Sequence, residues 1–307
     1  MSIVAISTSS FGKESTRPLE MLRSAGFEVR TNPSGRTLTS DEAKEHLQGV
    51  VGLIAGTEKL SREVLTACPQ LRCISRVGVG IDGVDLGAAK ELSITVVNTP
   101  EAHVDAVAEL TLAGLLSTLR AIPRSDTSIR GGGFDKPMGR LLRGKSVGFI
   151  GFGRVAKSLA RLLAPFDGQR WAYDVQEDGA AAASLGVRYG TLDEVLSSCD
   201  IISLHLPYAK SAHHLIGAAQ LAKLKDDAML VNTARGGLVD EAALLGFLEG
   251  HPKASAYLDC FEKEPYQGPL TRLKNVVLTA HIGSYAREAR VRMEVEAVEN
   301  LLANLGH

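Results

Sequence analysis

The chain has 307 residues, 45% of them hydrophobic, enough for two domains with cores of their own. Its 34 lysines and arginines against 35 aspartates and glutamates leave a formal charge of -1, with no basic excess to bind nucleic acid or an anionic membrane. The four cysteines, Cys68, Cys73, Cys199 and Cys260, lack metal-site spacing, so no metal is expected and they read as reduced thiols of a cytoplasmic protein.

Residues 2–7 read as a first strand rather than a signal peptide. A helix is predicted over 17–26, with Pro18 in its first turn and Gly26 as its stop. A strand follows at 27–30. Thr39 caps a helix that starts at Ser40, and Glu42 completes a capping box. Then come a strand at 52–55, a helix from Ser61, a strand at 71–75, a helix from Val84 and a strand at 94–97. Strands alternating with helices predict a parallel sheet covered on both faces.

A buried helix is predicted over 104–119, because its apolar residues recur on more than one face. The glycine-rich, basic stretch 131–145 reads as irregular. Strand 147–150 leads into Gly151-Phe152-Gly153-Arg154-Val155-Ala156 and a helix, and Asp174 ends the next strand. This is a dinucleotide-binding arrangement: the glycines permit a tight turn and close approach to a pyrophosphate, Ala156 permits close packing, and the acid takes a ribose hydroxyl. Arg154 stands at the helix N-terminus, where an anion is favoured. A carboxylate at 174 repels a 2′-phosphate, so NAD is expected over NADP. A bare structural turn is the plainer reading of the glycines alone. Further repeats follow: strand 187–189, a helix at 192–199, strand 201–206, a helix near 218–224, strand 229–234, a helix at 240–249, strands 254–259 and 276–279, and a final amphipathic helix over 288–305. No run of eighteen apolar residues predicts a membrane span.

Arg235, Glu264 and His281 each follow a predicted strand, where open α/β sheets gather ligand groups. A guanidinium can clamp a carboxylate and polarise a carbonyl. A histidine can exchange a proton with a hydroxyl, and a neighbouring carboxylate favours its charged form. The set fits oxidation of a 2-hydroxy acid to a 2-oxo acid. A surface arginine, a helix-capping glutamate and a hydrogen-bonded histidine at a domain joint are the plainer readings. In the first half, Arg76-Val77-Gly78-Val79-Gly80 is the candidate for holding the substrate acid, as an anion nest or as a plain strand-to-helix turn.

The stretches RVGVGIDGVDL, NTPEAHVDAVAEL, GKSVGFIGFGRVA, LHLP, VNTARGGLVDEAAL, LDCFEKEP and TAHIG, in this order, resemble the D-isomer-specific 2-hydroxyacid dehydrogenases over nearly the whole chain. The resemblance implies an α/β fold of two doubly wound parallel-sheet domains. A Rossmann-type NAD domain at 99–281 would be inserted into a discontinuous flavodoxin-like substrate domain at 1–98 and 282–307, with a cleft between them. It implies Arg235, Glu264 and His281 as the catalytic residues and 76–80 as the substrate-carboxylate loop. Cofactor contacts are implied for Gly151, Gly153, Arg154, Val155, Asp174, Pro207, Thr233, Ala234 and Asp259. A homodimer through the NAD domain is implied, with the long helix and 120–145 in the contact.

Within the family the opening SFGKESTRPLEMLRSAGFEV, the NPSGRTLT segment and HIGSYAREA make the chain most similar to short forms of phosphoglycerate dehydrogenase, which implies 3-phosphoglycerate as substrate, as in serine biosynthesis, and Arg76 on its phosphate. A chain ending at 307 carries no appended regulatory domain in this reading. Ala280 replaces a usual proline, His103 a common asparagine, and Ala55-Gly56-Thr57 lacks an arginine found in some relatives; Lys13 is the one cation placed to compensate. A hydroxypyruvate or glyoxylate reductase is the alternative, and a nucleotide-sensing corepressor a more remote one.

Overall fold

The computed structural model describes residues 1–306. They divide into two compact units: Met1–His103 together with the C-terminal stretch from Ser284, and Val104–Gly283.

The first unit runs β1 (Ile3–Ile6), α1 (Arg17–Ser24), β2 (Glu28–Thr31), α2 (Ser40–His46), β3 (Val50–Ala55), α3 (Arg62–Thr66), β4 (Cys73–Arg76), α4 (Leu86–Glu91) and β5 (Thr95–Asn98). The Thr39–Glu42 capping box forms as expected, satisfying two backbone donors at the start of α2. The strands pair in parallel in the order β2-β1-β3-β4-β5, a flavodoxin-like sheet. Apolar residues point both ways along β3, because one face carries the core of Leu53, Leu65 and Ile74 and the other that of Ile54, Leu22 and Leu301.

The second unit runs α5 (Val104–Leu119), α6 (Ile122–Arg130), β6 (Val147–Ile150), α7 (Arg154–Leu163), β7 (Arg170–Tyr173), α8 (Gly179–Ser184), β8 (Val187–Tyr189), α9 (Leu192–Ser198), β9 (Ile201–Leu204), α10 (Ala218–Leu221), β10 (Met229–Asn232), α11 (Glu241–Gly250), β11 (Ser255–Leu258) and β12 (Val276–Leu278). Its parallel sheet has the order β8-β7-β6-β9-β10-β11-β12. Counted from β6, that is the Rossmann order 3-2-1-4-5-6 with one strand added. The order reverses between β6 and β9, and the glycine turn follows β6 at that switch point. The chain then returns to the first unit as α12 (Arg287–Leu305), which packs Met293, Ala297, Val298 and Leu301 against Val4, Ile6 and Ile54.

The unit edges lie a few residues beyond 98 and 281 for a local reason. Thr99 is tied to the first unit by Gly78 N–H donating to its Oγ1 at 2.8 Å, while Gly283 N–H donates to Asp259 of the second. Two helices go beyond those the sequence predicts. The α6 helix follows Ala121 in the left-handed region and buries none of its residues; its two large apolar side chains, Ile122 and Ile129, are both exposed. The α8 helix, GAAAAS, buries only Ala182, and its start is signalled by Asp178 Oδ1 accepting from Ala181 N–H. No single helix among the described residues is long and apolar enough to cross a membrane; α5 and α6 together reach that length and composition but meet at a 65° bend.

Leu301 is fully buried on the sheet of the first unit. Leu301→Ala is expected to destabilise that unit by about 2–5 kcal/mol, measured by urea unfolding, because the helix cannot close over the cavity. A change within about 0.5 kcal/mol would mean that α12 is not packed as described.

Candidate active site

The glycine turn is built at the end of β6. Gly151 has φ +89°, and a Cβ there would lie 2.8–2.9 Å from Leu206 and the His205 backbone, so only glycine fits. Gly153 begins α7 with no side-chain cap and with open space around it. A phosphate finds there an uncapped helix N-terminus and no Cβ in its way. Asp174, just past β7, accepts from Phe152 N–H at 2.7 Å and from Gln176 N–H at 3.0 Å, which fixes the acid against the turn. Ala156 is buried and Val155 partly buried, while Arg154 and Pro207 are exposed. These residues fit a dinucleotide. Thr233, also expected at the cofactor, is buried with its hydroxyl 2.9 Å from that of Thr111, and Ala234 N–H donates to Asn232 Oδ1.

The three chemistry-bearing residues converge beyond β10, β11 and β12. Asn232, the last residue of β10, bridges Ala234 N–H and the Arg235 carbonyl and so folds the chain into a turn that presents Arg235. Gly236 follows because the next loop leaves no room: its Cβ would lie 1.8 Å from the Phe261 carbonyl carbon. Past β11, Phe261 N–H donates to Glu264 Oε1 at 3.1 Å. His281 Nδ1 lies 3.0 and 2.9 Å from the two Glu264 oxygens, which turns Nε2 to the other side of the ring. Both side chains are reachable by solvent, at 43% and 38% exposure. Burial opposes the Glu264 charge, but the His281 and Phe261 hydrogen bonds and the charges of His281 and Arg235 outweigh it, holding the carboxyl below its usual range.

His281 itself has φ +52°, a left-handed conformation that costs a non-glycine residue about 1–3 kcal/mol. Asp259 holds it there. This wholly buried carboxylate accepts from Thr279 Oγ1 at 2.6 Å, Ile282 N–H at 2.9 Å and Gly283 N–H at 2.8 Å, clasping the loop on both sides of His281. Asp259, for which the family resemblance implies a cofactor contact, ties down the histidine loop in the structure. Next to it, Cys260 is buried and donates through Sγ to the Ala234 carbonyl at 3.4 Å; burial pushes its thiol well up. Nothing in the sequence spacing singles out Cys260 for this position.

In the first unit, the 76–80 loop leaves β4 at the sheet's C-terminal edge. Arg76 is partly buried, and its guanidinium donates to the Val77 carbonyl. Val77 N–H is used by Ala55 O and Gly78 N–H by Thr99, so the expected nest has two of its donors already engaged. Gly78 has φ +130°, Val79 is 40% exposed, and Gly80 is partly buried. Sequence reasoning passes over Glu58. It is 3% exposed and accepts from Ser7 Oγ and Gly56 N–H; burial pushes its carboxyl up, opposed by these hydrogen bonds and by the charge of Arg76. A charged residue three positions after β3, inside a parallel sheet's loop layer, is the available signal.

Residues 112–283 match the family model "D-isomer specific 2-hydroxyacid dehydrogenase, NAD binding domain". The chain is 40% identical over 258 residues to a glyoxylate reductase of Thermofilum pendens, covering 81% of this chain and 76% of that one. It is 37% identical over 276 residues to a hydroxypyruvate reductase of Thermotoga maritima (88% and 89%), and 36% identical over 294 residues to a D-3-phosphoglycerate dehydrogenase of Archaeoglobus fulgidus (94% and 55%). The chain therefore belongs to the D-isomer-specific 2-hydroxyacid dehydrogenase family, and its second unit carries the family's NAD-binding domain. It spans about half the length of the phosphoglycerate dehydrogenases it matches, and most of the length of the two reductases.

Gly236→Ala tests the packing of the site. The added carbon forces the 261–262 backbone away and moves Glu264 with it. Turnover is expected to fall about 100-fold, with NADH affinity, followed by fluorescence, little changed. Unchanged turnover would show that the Gly236–Phe261 contact does not govern the site.

Proposed function

We propose that the protein is an NAD-dependent oxidoreductase that interconverts a D-2-hydroxy acid and its 2-oxo acid, with a short unphosphorylated acid of the glyoxylate or hydroxypyruvate class as its substrate. The observation that carries the chemistry is the His281–Glu264 pair, held beside Arg235 at the ends of adjacent strands. Bound nicotinamide supplies or accepts the hydride at C2. In the reducing direction His281, protonated, donates to the oxygen that was the carbonyl; in the oxidising direction it takes the hydroxyl proton. Glu264 orients the ring through Nδ1 and stabilises its positive charge. Arg235 polarises the carbonyl and orients the carboxylate with paired donors. Arg76 and its loop are assigned the carboxylate end of the substrate. Asp174 favours NAD, since a carboxylate at that position repels a 2′-phosphate.

The surroundings of Arg76 support an unphosphorylated acid over 3-phosphoglycerate. A phosphate at Arg76 would share that guanidinium with the Val77 carbonyl and with the buried carboxyl of Glu58, and residues 55–57 offer no second cation. We further infer a homodimer through the second unit: α6 buries no residue, and Ile122, Ile129, Phe134, Met138 and Leu141 are exposed along one stretch of chain.

The purified protein should be assayed with glyoxylate, hydroxypyruvate, pyruvate and 3-phosphohydroxypyruvate, each with NADH and NADPH. Hydroxypyruvate or glyoxylate with NADH is expected to exceed 3-phosphohydroxypyruvate in kcat/KM by about tenfold or more. A preference for the phosphorylated acid would overturn the substrate, and no turnover of any oxo acid would overturn the activity. Glu264→Gln is expected to lower kcat by about 10²-fold with NADH affinity, followed by fluorescence, little changed, because an amide replaces the carboxylate that holds the imidazole through both its oxygens. An unchanged kcat would remove Glu264 from this role.

A further inference from the structure

Cys260, Glu264 and His281 each offer one ligand atom, and the three atoms lie within 4.8 Å of one another. We propose that they form a site for one thiophilic divalent cation, Zn²⁺ or Co²⁺, which inhibits the enzyme by taking the place of the proton held between Glu264 and His281. Sulfur, imidazole nitrogen and carboxylate oxygen together are the donor set of a tetrahedral zinc centre with one position left open. Such a centre sets its donors about 3.3–3.6 Å apart, from metal–ligand distances of about 2.0–2.3 Å. The Glu264–His281 separation of 2.9 Å must open slightly, and a separation at the 4.8 Å limit must close by about 1 Å, a movement within reach of side-chain rotation.

The three donors differ in how they are held. Cys260 sits one residue past Asp259, in the loop that follows β11, buried and with its Sγ turned to the Ala234 carbonyl. Glu264 and His281 lie at the surface, so an ion enters from their side and meets the buried sulfur last. On binding, the Cys260 proton and the proton held between Glu264 and His281 Nδ1 both leave to solvent, and metal–sulfur and metal–nitrogen bonds form. His281 coordinates through neutral Nδ1 and keeps its ring proton on Nε2. A ring held this way no longer passes through the imidazolium form that donates readily in oxo-acid reduction, so the ion stops turnover and removal by a chelator restores it. No spacing in the sequence announces this set, because its members come from two loops that only the fold joins.

The inhibition rests on the role proposed for His281, but metal binding does not, so two readouts are used. Reduced protein in non-chelating buffer is titrated with Co²⁺ and its near-ultraviolet spectrum recorded, and oxo-acid reduction is followed against Zn²⁺. Expected are one Co²⁺ per chain with a thiolate-to-cobalt absorption band, and inhibition by Zn²⁺ that EDTA reverses. Cys260→Val and the smaller change Cys260→Ser are both expected to retain turnover, to lose the band, and to need at least about tenfold more Zn²⁺ for half-inhibition, since even outer-sphere losses weaken metal sites 10–100-fold. Wild-type protein without the thiolate band, or variants inhibited at the wild-type concentration, would overturn the site. A band without inhibition would keep the site and overturn its effect on catalysis.

Discussion

One buried carboxylate carries the arrangement at the candidate active site. Asp259 has no contact with solvent and accepts three hydrogen bonds, all from the 279–283 segment. A buried charge left unpaired would be costly, so these donors are held firmly, and the loop with them. The consequence is a histidine in a left-handed backbone conformation that it would not adopt in isolation. That conformation sets His281 against both oxygens of Glu264. Glu264 in turn is located by the Phe261 N–H and by the close approach that Gly236 permits. Sheet register does the rest: parallel pairing of β10, β11 and β12 brings Asn232, Asp259 and Thr279 to the same edge, with Asp259 N–H on the Asn232 carbonyl and Thr279 N–H on that of Leu258.

Much of this is legible in the chain. The strands and helices of both sheets can be read because parallel strands covered on two faces are short apolar runs bounded by turn residues. The Thr39–Glu42 capping box and the glycine turn are legible because each is a local device whose residues fix its geometry. Arg235, Glu264 and His281 stand out by following predicted strands. What stays hidden is anything defined by contact across the sheet. Asp259 looks from the sequence like a ligand contact, and only the fold reveals that its carboxylate is used by a loop twenty residues later. Cys260 is one of four unremarkable cysteines until the loops after β11 and β12 come together. The α6 helix is missed for the opposite reason: it buries nothing within the chain, and its two isoleucines, Ile122 and Ile129, are too few to read as a core-facing stripe.

The choice of substrate turns on smaller differences. Arg76 alone admits a phosphate, and motif similarity favours that reading. Its surroundings weigh against it. The guanidinium already serves the Val77 carbonyl, Glu58 lies close enough to act on it, and two of the loop's N–H groups are bound to Ala55 and Thr99. A single carboxylate makes fewer demands on such a loop than a phosphate dianion does. In the proposed reading the acid is selected by the few side chains around Arg76, while the Glu264–His281 pair lies within the second unit.

The most direct test of Asp259 as the anchor of His281 is a double-mutant cycle on turnover with Asp259→Ala, His281→Ala and the pair. If Asp259 acts by holding His281 in place, the pair loses no more activity than His281→Ala does by itself, and each single variant still binds NADH. Losses that multiply in the double variant would show that Asp259 works independently of the histidine, and would contradict its role as the anchor.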